Sequence, residues 1–177
     1  LNLSLNHNRV RLQDPFNPTN TEGKELPVSI YRWQDVNLSY NNGPRSQLSW
    51  SLGSRYGSFY NGERLQVNGS MFYRFQPYAR VGANFNHNEI WLPDSFANAS
   101  LTLVSPELRV TFTRNMFLSV FTQVNTQIEN VNLNARFQWR YLPMSDIFLV
   151  LTENYNSTNL AVRNRQLVLK VNYWLQS

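Results

Sequence analysis

From Val131 to Tyr141 apolar and polar residues alternate without a break. Val131, Leu133, Ala135, Phe137, Trp139 and Tyr141 share one parity, and Asn132, Asn134, Arg136, Gln138 and Arg140 share the other. A strand sends successive side chains to opposite faces, so this segment predicts a strand with one apolar face and one face of amides and guanidiniums. Leu65, Val67, Gly69, Met71, Tyr73 and Phe75 alternate in the same way with Arg64, Gln66, Asn68, Ser70 and Arg74. Ala79, Val81, Ala83 and Phe85 alternate with Arg80, Gly82, Asn84 and Asn86. Two different solvents are expected to face such a sheet.

Turn signals divide the chain into about ten strands, over 1–12, 28–41, 46–56, 64–75, 79–88, 99–113, 116–125, 131–141, 147–155 and 165–175. Pro44, Pro77 and Pro143 fall in connections, where a missing backbone donor harms no ladder, and Asn42-Gly43 and Asn61-Gly62 are hairpin-turn dipeptides. Pro106 falls inside the sixth strand and predicts a bulge or a strand start there. The connections 42–45, 76–78, 114–115 and 142–146 are short. Those at 13–27, 89–98 and 156–164 are long, while 57–63 and 126–130 are shorter loops on the same side as the long ones. The expected fold is all-β: an antiparallel, up-and-down transmembrane β-barrel forming a single domain over 1–177. The chain either closes alone with about ten strands or forms the C-terminal part of a wider barrel.

Composition changes the identity of the two solvents. Charged residues make up 15% and aromatic residues 14%, whereas soluble domains carry about a quarter charged residues. Mean hydropathy is nonetheless negative, because Asn, Gln, Ser and Thr supply the polarity. A barrel wall has this balance, with a wet, mostly neutral lumen face, an apolar outer band and aromatic girdles at both membrane interfaces. Tyr73, Phe75, Tyr78, Phe112, Phe117, Trp139, Tyr141, Phe148, Tyr173 and Trp174 crowd the short-turn ends, and Tyr56, Phe59, Tyr60, Phe85, Trp91 and Tyr155 the others. Of these, Tyr73, Phe75, Trp91, Trp139, Tyr141 and Tyr173 are the expected interface anchors. No apolar run approaches the roughly 18 residues of a spanning helix, so a crossing would be made by strands. The expected location is the outer membrane of a Gram-negative bacterium, with both termini periplasmic. Leu1 opens directly on an alternating segment, so a native translation start and any signal peptide are expected upstream of it.

Arg64, Arg74, Arg80, Arg109, Arg136, Arg140 and Lys170 fall on the polar parity, against Asp35 and Glu107 as the clearer acidic members. A net positive lining biases passage or binding toward anionic solutes. Alternatively, these arginines pair with the few carboxylates and fill a narrow interior. The net charge of +5 does not indicate nucleic acid, because the basic residues are spread singly along strands and form no cluster. Arg9 and Arg11, near the outer end of the first strand, are candidates for contact with acidic lipid headgroups.

No catalytic residue, metal site or cofactor is expected, and the chain is not read as an enzyme. His87, Glu89 and Asp94, with Ser95 following, are expected to share one outer loop, and a rim hydrolase built on His87 is the alternative they suggest. A soluble carbohydrate- or partner-binding β-sandwich is a further alternative. The expected partners are the lipid bilayer and other outer-membrane or periplasmic subunits.

The segments LRVTFTRNMFLSVFTQVN (108–125), LNARFQWRYLPMSDIFLVLTENYN (133–156) and RQLVLKVNYWL (165–175), with YGSFYNGER (56–64), resemble a group of bacterial outer-membrane proteins. In that group a family-9 carbohydrate-binding-like domain precedes a C-terminal β-barrel domain of unknown function, and this chain is similar to the barrel part. Met144 stands where that group usually has Gly after the Pro. The resemblance implies fold and location; the expected role as membrane anchor, docking component or pore comes from the alternation, the aromatic belts and the loop asymmetry. The resemblance implies no catalytic residue and no sugar binding.

Overall fold

A computed structural model describes residues 1–19, 23–43, 45–93 and 96–175 of the chain; Pro44, Asp94 and Ser95 lie outside them. Ten strands follow one another in chain order: β1 (Asn2–Arg11), β2 (Ile30–Asn41), β3 (Leu48–Phe59), β4 (Gly62–Phe75), β5 (Ala79–Trp91), β6 (Ala99–Thr113), β7 (Met116–Asn125), β8 (Asn130–Leu142), β9 (Ser145–Asn156) and β10 (Val162–Val171). They form one antiparallel sheet in which every strand pairs with its neighbours in sequence, leaving β1 and β10 as its two edges. All ten predicted strands are present, within a few residues at each end.

Period two in the sequence becomes two faces in the structure because the register joins like parities. Ser51 of β3 stands opposite Ser70 of β4, which stands opposite Asn84 of β5, which stands opposite Ser105 of β6. The other parity joins Trp50, Met71, Ala83 and Pro106 in the same way. Burial runs opposite to that of a soluble sheet. Asp35 is 4% exposed and its neighbour Val36 46%; Ser105 is 7% exposed while Met71, on the apolar face, is 63%. Among the described residues no second layer covers the polar face, and the loop residues Phe16 and Leu26 cover part of it.

Cover is densest at the long-loop end. Residues 12–19 and 23–29 bend over the polar face, held by reciprocal backbone hydrogen bonds between Phe16 and Leu26 of 3.1 and 2.8 Å, and Leu26 is fully buried. Phe16, Tyr31, Trp33 and Phe59 all contact the Tyr60 ring, with centroids 4.8 to 5.9 Å apart. Lys24 lies 5.5 Å from the Phe96 ring. The first long loop therefore reaches the loop between β5 and β6 at the same end of the sheet.

Several local expectations are corrected. The β3–β4 connection is only Tyr60 and Asn61, with Phe59 paired to Gly62, so the tight turn sits one residue before Asn61-Gly62 and Tyr60 takes the left-handed conformation at φ 54°. Here the loop side carries a tight hairpin, because the strands extend through 57–59 and 62–63. Pro106 produces no bulge. Its β5 register is continuous, Val104–Val124 and Glu107–Phe121 keep one register with β7, and the irregularity in β6 falls at Thr111–Thr113. A missing N–H removes a ladder donor without requiring an extra residue. The last strand spans 162–171, so Tyr173 and Trp174 lie beyond it; Trp174 donates its backbone N–H to Ser145 Oγ at 3.0 Å.

Candidate functional site

Antiparallel register assembles one row of arginines across the polar face. Arg74 of β4 stands directly opposite Arg80 of β5, and Arg80 opposite Arg109 of β6. Arg109 then faces Ser119 of β7, which faces Arg136 of β8. One rung near the short turns thus carries Arg74, Arg80, Arg109 and Arg136. Neighbouring strands are about 4.8 Å apart, so guanidiniums on adjacent strands share one electrostatic environment.

A single carboxylate sits among them. Glu107 forms ion pairs with both Arg80, at 3.7 Å, and Arg109. Stacking positions the rest. The Arg80 guanidinium lies 4.0 Å from the Phe72 ring centroid and that of Arg136 lies 4.6 Å from Phe148, contacts in which a cation faces a ring quadrupole. Phe72 is buried on the polar face because Gly82, its cross-strand partner, has no side chain; a Cβ there would collide with the Phe72 ring and with the Met71 carbonyl. Arg109 and Arg136 line one open pocket with Phe117, Ser119 and Gln138. Arg74, Arg80 and Arg109 line an adjoining one with Gln76 and Thr111. The row is therefore accessible, and fixed guanidiniums in such a row can hold carboxylate or phosphate oxygens.

The remaining polar-parity cations are placed differently. Arg140 lies 3.3 Å from Asp146 Oδ1, which also accepts from Gln138 at 2.9 Å. Arg64 belongs to the loop end, 4.2 Å from the Phe59 ring. Lys170 is exposed on the edge strand β10, opposite Phe148. Asp35 is held by Asn6 Nδ2 at 2.7 Å, Asn8 Nδ2 at 2.8 Å and Arg55 Nε at 3.4 Å. Arg55 was not among the expected lining residues, although its parity with Ser49, Ser51 and Gly53 carried the signal. Between these charged groups, amides bond across strands, as in Asn132 to Asn154 at 2.7 Å and Asn134 to Thr152 at 2.9 Å. The polar face is thus part ion pairs and part unbalanced positive charge.

Ring placement needs correction at both ends. Tyr73 and Phe75 stack at 4.5 Å on the apolar face of β4, and Trp139 and Tyr141 lie 6.3 Å apart on that of β8. Tyr40 and Trp50, which sequence reading passed over, add a pair at 4.9 Å. Phe117 and Phe148 instead take the polar parity, opposite one another's neighbour Gln138. Phe59 and Tyr60 turn inward to the loop cluster, where burial raises the Tyr60 phenol above its ordinary pKa. Trp91 is on the apolar parity, 40% exposed.

His87 and Glu89 belong to strand β5, not to a loop, and sit on the apolar parity. His87 Nδ1 is 2.8 Å from Thr102 Oγ1 and Nε2 is 3.2 Å from Glu89 Oε2. Asp94 and Ser95, the other members of that candidate set, lie outside the described residues. Among the described residues no group of three or more His, Asp or Glu is placed to hold a metal. Comparison with protein-family models, curated proteins and solved structures returns no match.

Proposed function

We propose that this sheet is the wall of a transmembrane β-barrel of the bacterial outer membrane, forming a pore with a basic, amide-rich lumen. The inverted burial carries the reading: large apolar side chains such as Met71, Val36 and Leu149 are 63%, 46% and 41% exposed, while Asp35 and Ser105 are covered on the opposite face. Water would penalise that arrangement at roughly 25 cal/mol for each Å² of apolar surface, and lipid would not. The apolar parity runs from Leu65 to Phe75 and from Val131 to Tyr141, close to the roughly 9–11 residues that a tilted strand needs to cross a bilayer.

Edges matter for this reading. Unpaired strand edges are not viable in hydrocarbon, and with ten strands in alternating directions β1 and β10 run antiparallel, as pairing with one another requires. Further strands from a longer chain or a partner subunit would satisfy them equally. The resemblance to C-terminal barrel domains supports the same fold and location. The arginine row gives the lumen its preference for anions, and the loop 12–29 narrows its mouth.

The test is refolding of the chain into phospholipid vesicles, followed by planar-bilayer recording. Discrete current steps with a reversal potential favouring anions are expected. Folding into vesicles without current would leave a membrane anchor or docking component, the reading that a mouth covered by the loop favours. Monodisperse, folded protein in detergent-free buffer would overturn the membrane reading.

A further inference from the structure

On β1 and β2 the apolar face is graded along the strands. Leu3 faces Leu38 and Leu5 faces Val36; then His7 faces Gln34, Arg9 faces Arg32, and Arg11 closes the series opposite Ile30. All of the cationic members are exposed and lie at the long-loop end. Elsewhere at that end of the same face Arg165 is paired with Glu153, and His87 Nε2 lies 3.2 Å from Glu89 Oε2. Arg9, Arg11 and Arg32 have no ion pair with any described carboxylate, including Asp14 and Glu25 of the loop above them.

Like charges placed directly across a ladder are destabilising unless an anion lies between them. Guanidinium forks match phosphate oxygens in geometry and charge. One rung further down, past His7 and Gln34, lie Leu5 and Val36, 72% and 46% exposed, a surface suited to hydrocarbon and not to a free, hydrated ion. The opposite end of the same face carries rings instead of cations, in the pairs Tyr40–Trp50, Tyr73–Phe75 and Trp139–Tyr141. We propose that Arg9, Arg11 and Arg32 form a binding site for the phosphate group of an anionic lipid, with its acyl chains along Leu3, Leu5, Val36 and Leu38. The site rests on the bilayer reading above and assigns the basic end of the wall to the leaflet richer in phosphate.

Native mass spectrometry of the detergent-refolded chain, exposed to equal amounts of phosphatidylglycerol and phosphatidylcholine, tests it. Preferential retention of phosphatidylglycerol is expected. Each arginine near an anionic surface is worth about fivefold in affinity, so the variant Arg9→Gln/Arg11→Gln/Arg32→Gln should lose on the order of a hundredfold of that preference. A lumen variant, Arg74→Gln/Arg80→Gln/Arg109→Gln, should keep it. Equal loss in both variants, or no loss in the first, overturns the site. Displacement of the lipid by millimolar inorganic phosphate would assign the arginines to the free ion and also overturn it. Retention of neither lipid, together with failure to enter vesicles, would instead remove the bilayer reading on which the site stands.

Discussion

Arg80 and Arg109 stand directly opposite each other on β5 and β6, and the carboxylate of Glu107 contacts both. Two like charges at one rung are tolerated because a third group of opposite sign is shared between them. Glu107 is mostly buried while Arg109 is 63% exposed, so water screens the trio mainly on the Arg109 side. Replacing Glu107 with Gln keeps the shape and removes the charge. Stability in vesicles, read as the urea midpoint, should fall by about 1–3 kcal/mol. The reversal potential should move further toward the anion limit. An unchanged reversal potential would show that the arginine row does not lie on the conduction path.

Asp35 fastens the first edge strand. Its two oxygens accept from Asn6 and Asn8 of β1, and Arg55 of β3 lies against the same carboxylate. An Asp35→Asn variant leaves Arg55 without its counter-charge and offers an amide where an acceptor is needed. Hydrogen exchange at the β1 amides should accelerate by about tenfold or more, as expected for roughly 1.5 kcal/mol or more of lost charge-assisted bonding. Amides of β8 and β9, which share no contact with Asp35, should keep their protection.

Gly82 holds its place through absence of a side chain. Ala at this position drives its methyl into the Met71 carbonyl and the Phe72 ring. Overpacking of this kind costs about 1–3 kcal/mol. Because Phe72 also supports Arg80, Gly82→Ala should lower anion conductance as well as the unfolding midpoint. Ala introduced at Gly43, where no atom lies within 4 Å of a new Cβ, tests backbone strain alone because Gly43 has φ +86°. That variant should lower stability without altering conductance.

Much of this was legible in the sequence because period two is a strong code. Each of Arg64, Arg74, Arg80, Arg109, Arg136, Arg140 and Lys170 lies on the polar face that its parity assigned. What parity does not encode is register between strands. The alignment of Arg74, Arg80, Arg109 and Arg136 in one row depends on where each turn closes, and a shift of one residue would have dispersed it. The inward turn of Phe59 and Tyr60 was hidden for the same reason, since the hairpin closes at Tyr60–Asn61 and not at Asn61–Gly62. Proline misled at position 106 because a missing donor looks alike in sequence whether the strand bulges or simply forgoes a bond. The loop that begins after β1 carries no period-two pattern, and its path follows from the full burial of Leu26 and from Phe16, still 43% exposed, meeting the Tyr60 ring at 5.9 Å.

That path makes the loop a direct test of the mouth. Replacing residues 13–27 with a short Gly-Ser turn removes Phe16 from the Tyr60 ring, takes away the buried Leu26 and separates Lys24 from Phe96. A larger single-channel current is expected, together with faster access of water-soluble quenchers to Trp33, which is now buried.

Lipid exposure of the apolar parity can be read from a pair of arginine insertions. Leu149, near the middle of β9, points to the apolar face, and Ser119 of β7 points to the polar one beside Arg109 and Arg136. In a bilayer, Leu149→Arg should destabilise the fold by about 2–4 kcal/mol, the cost of a cation near the midplane. Ser119→Arg places its cation in water and should cost much less, although it extends the positive row and should sharpen anion selectivity. Reversed costs, with the Ser119 variant unfolding and the Leu149 variant tolerated, would mean that the amide and guanidinium face is the dry one.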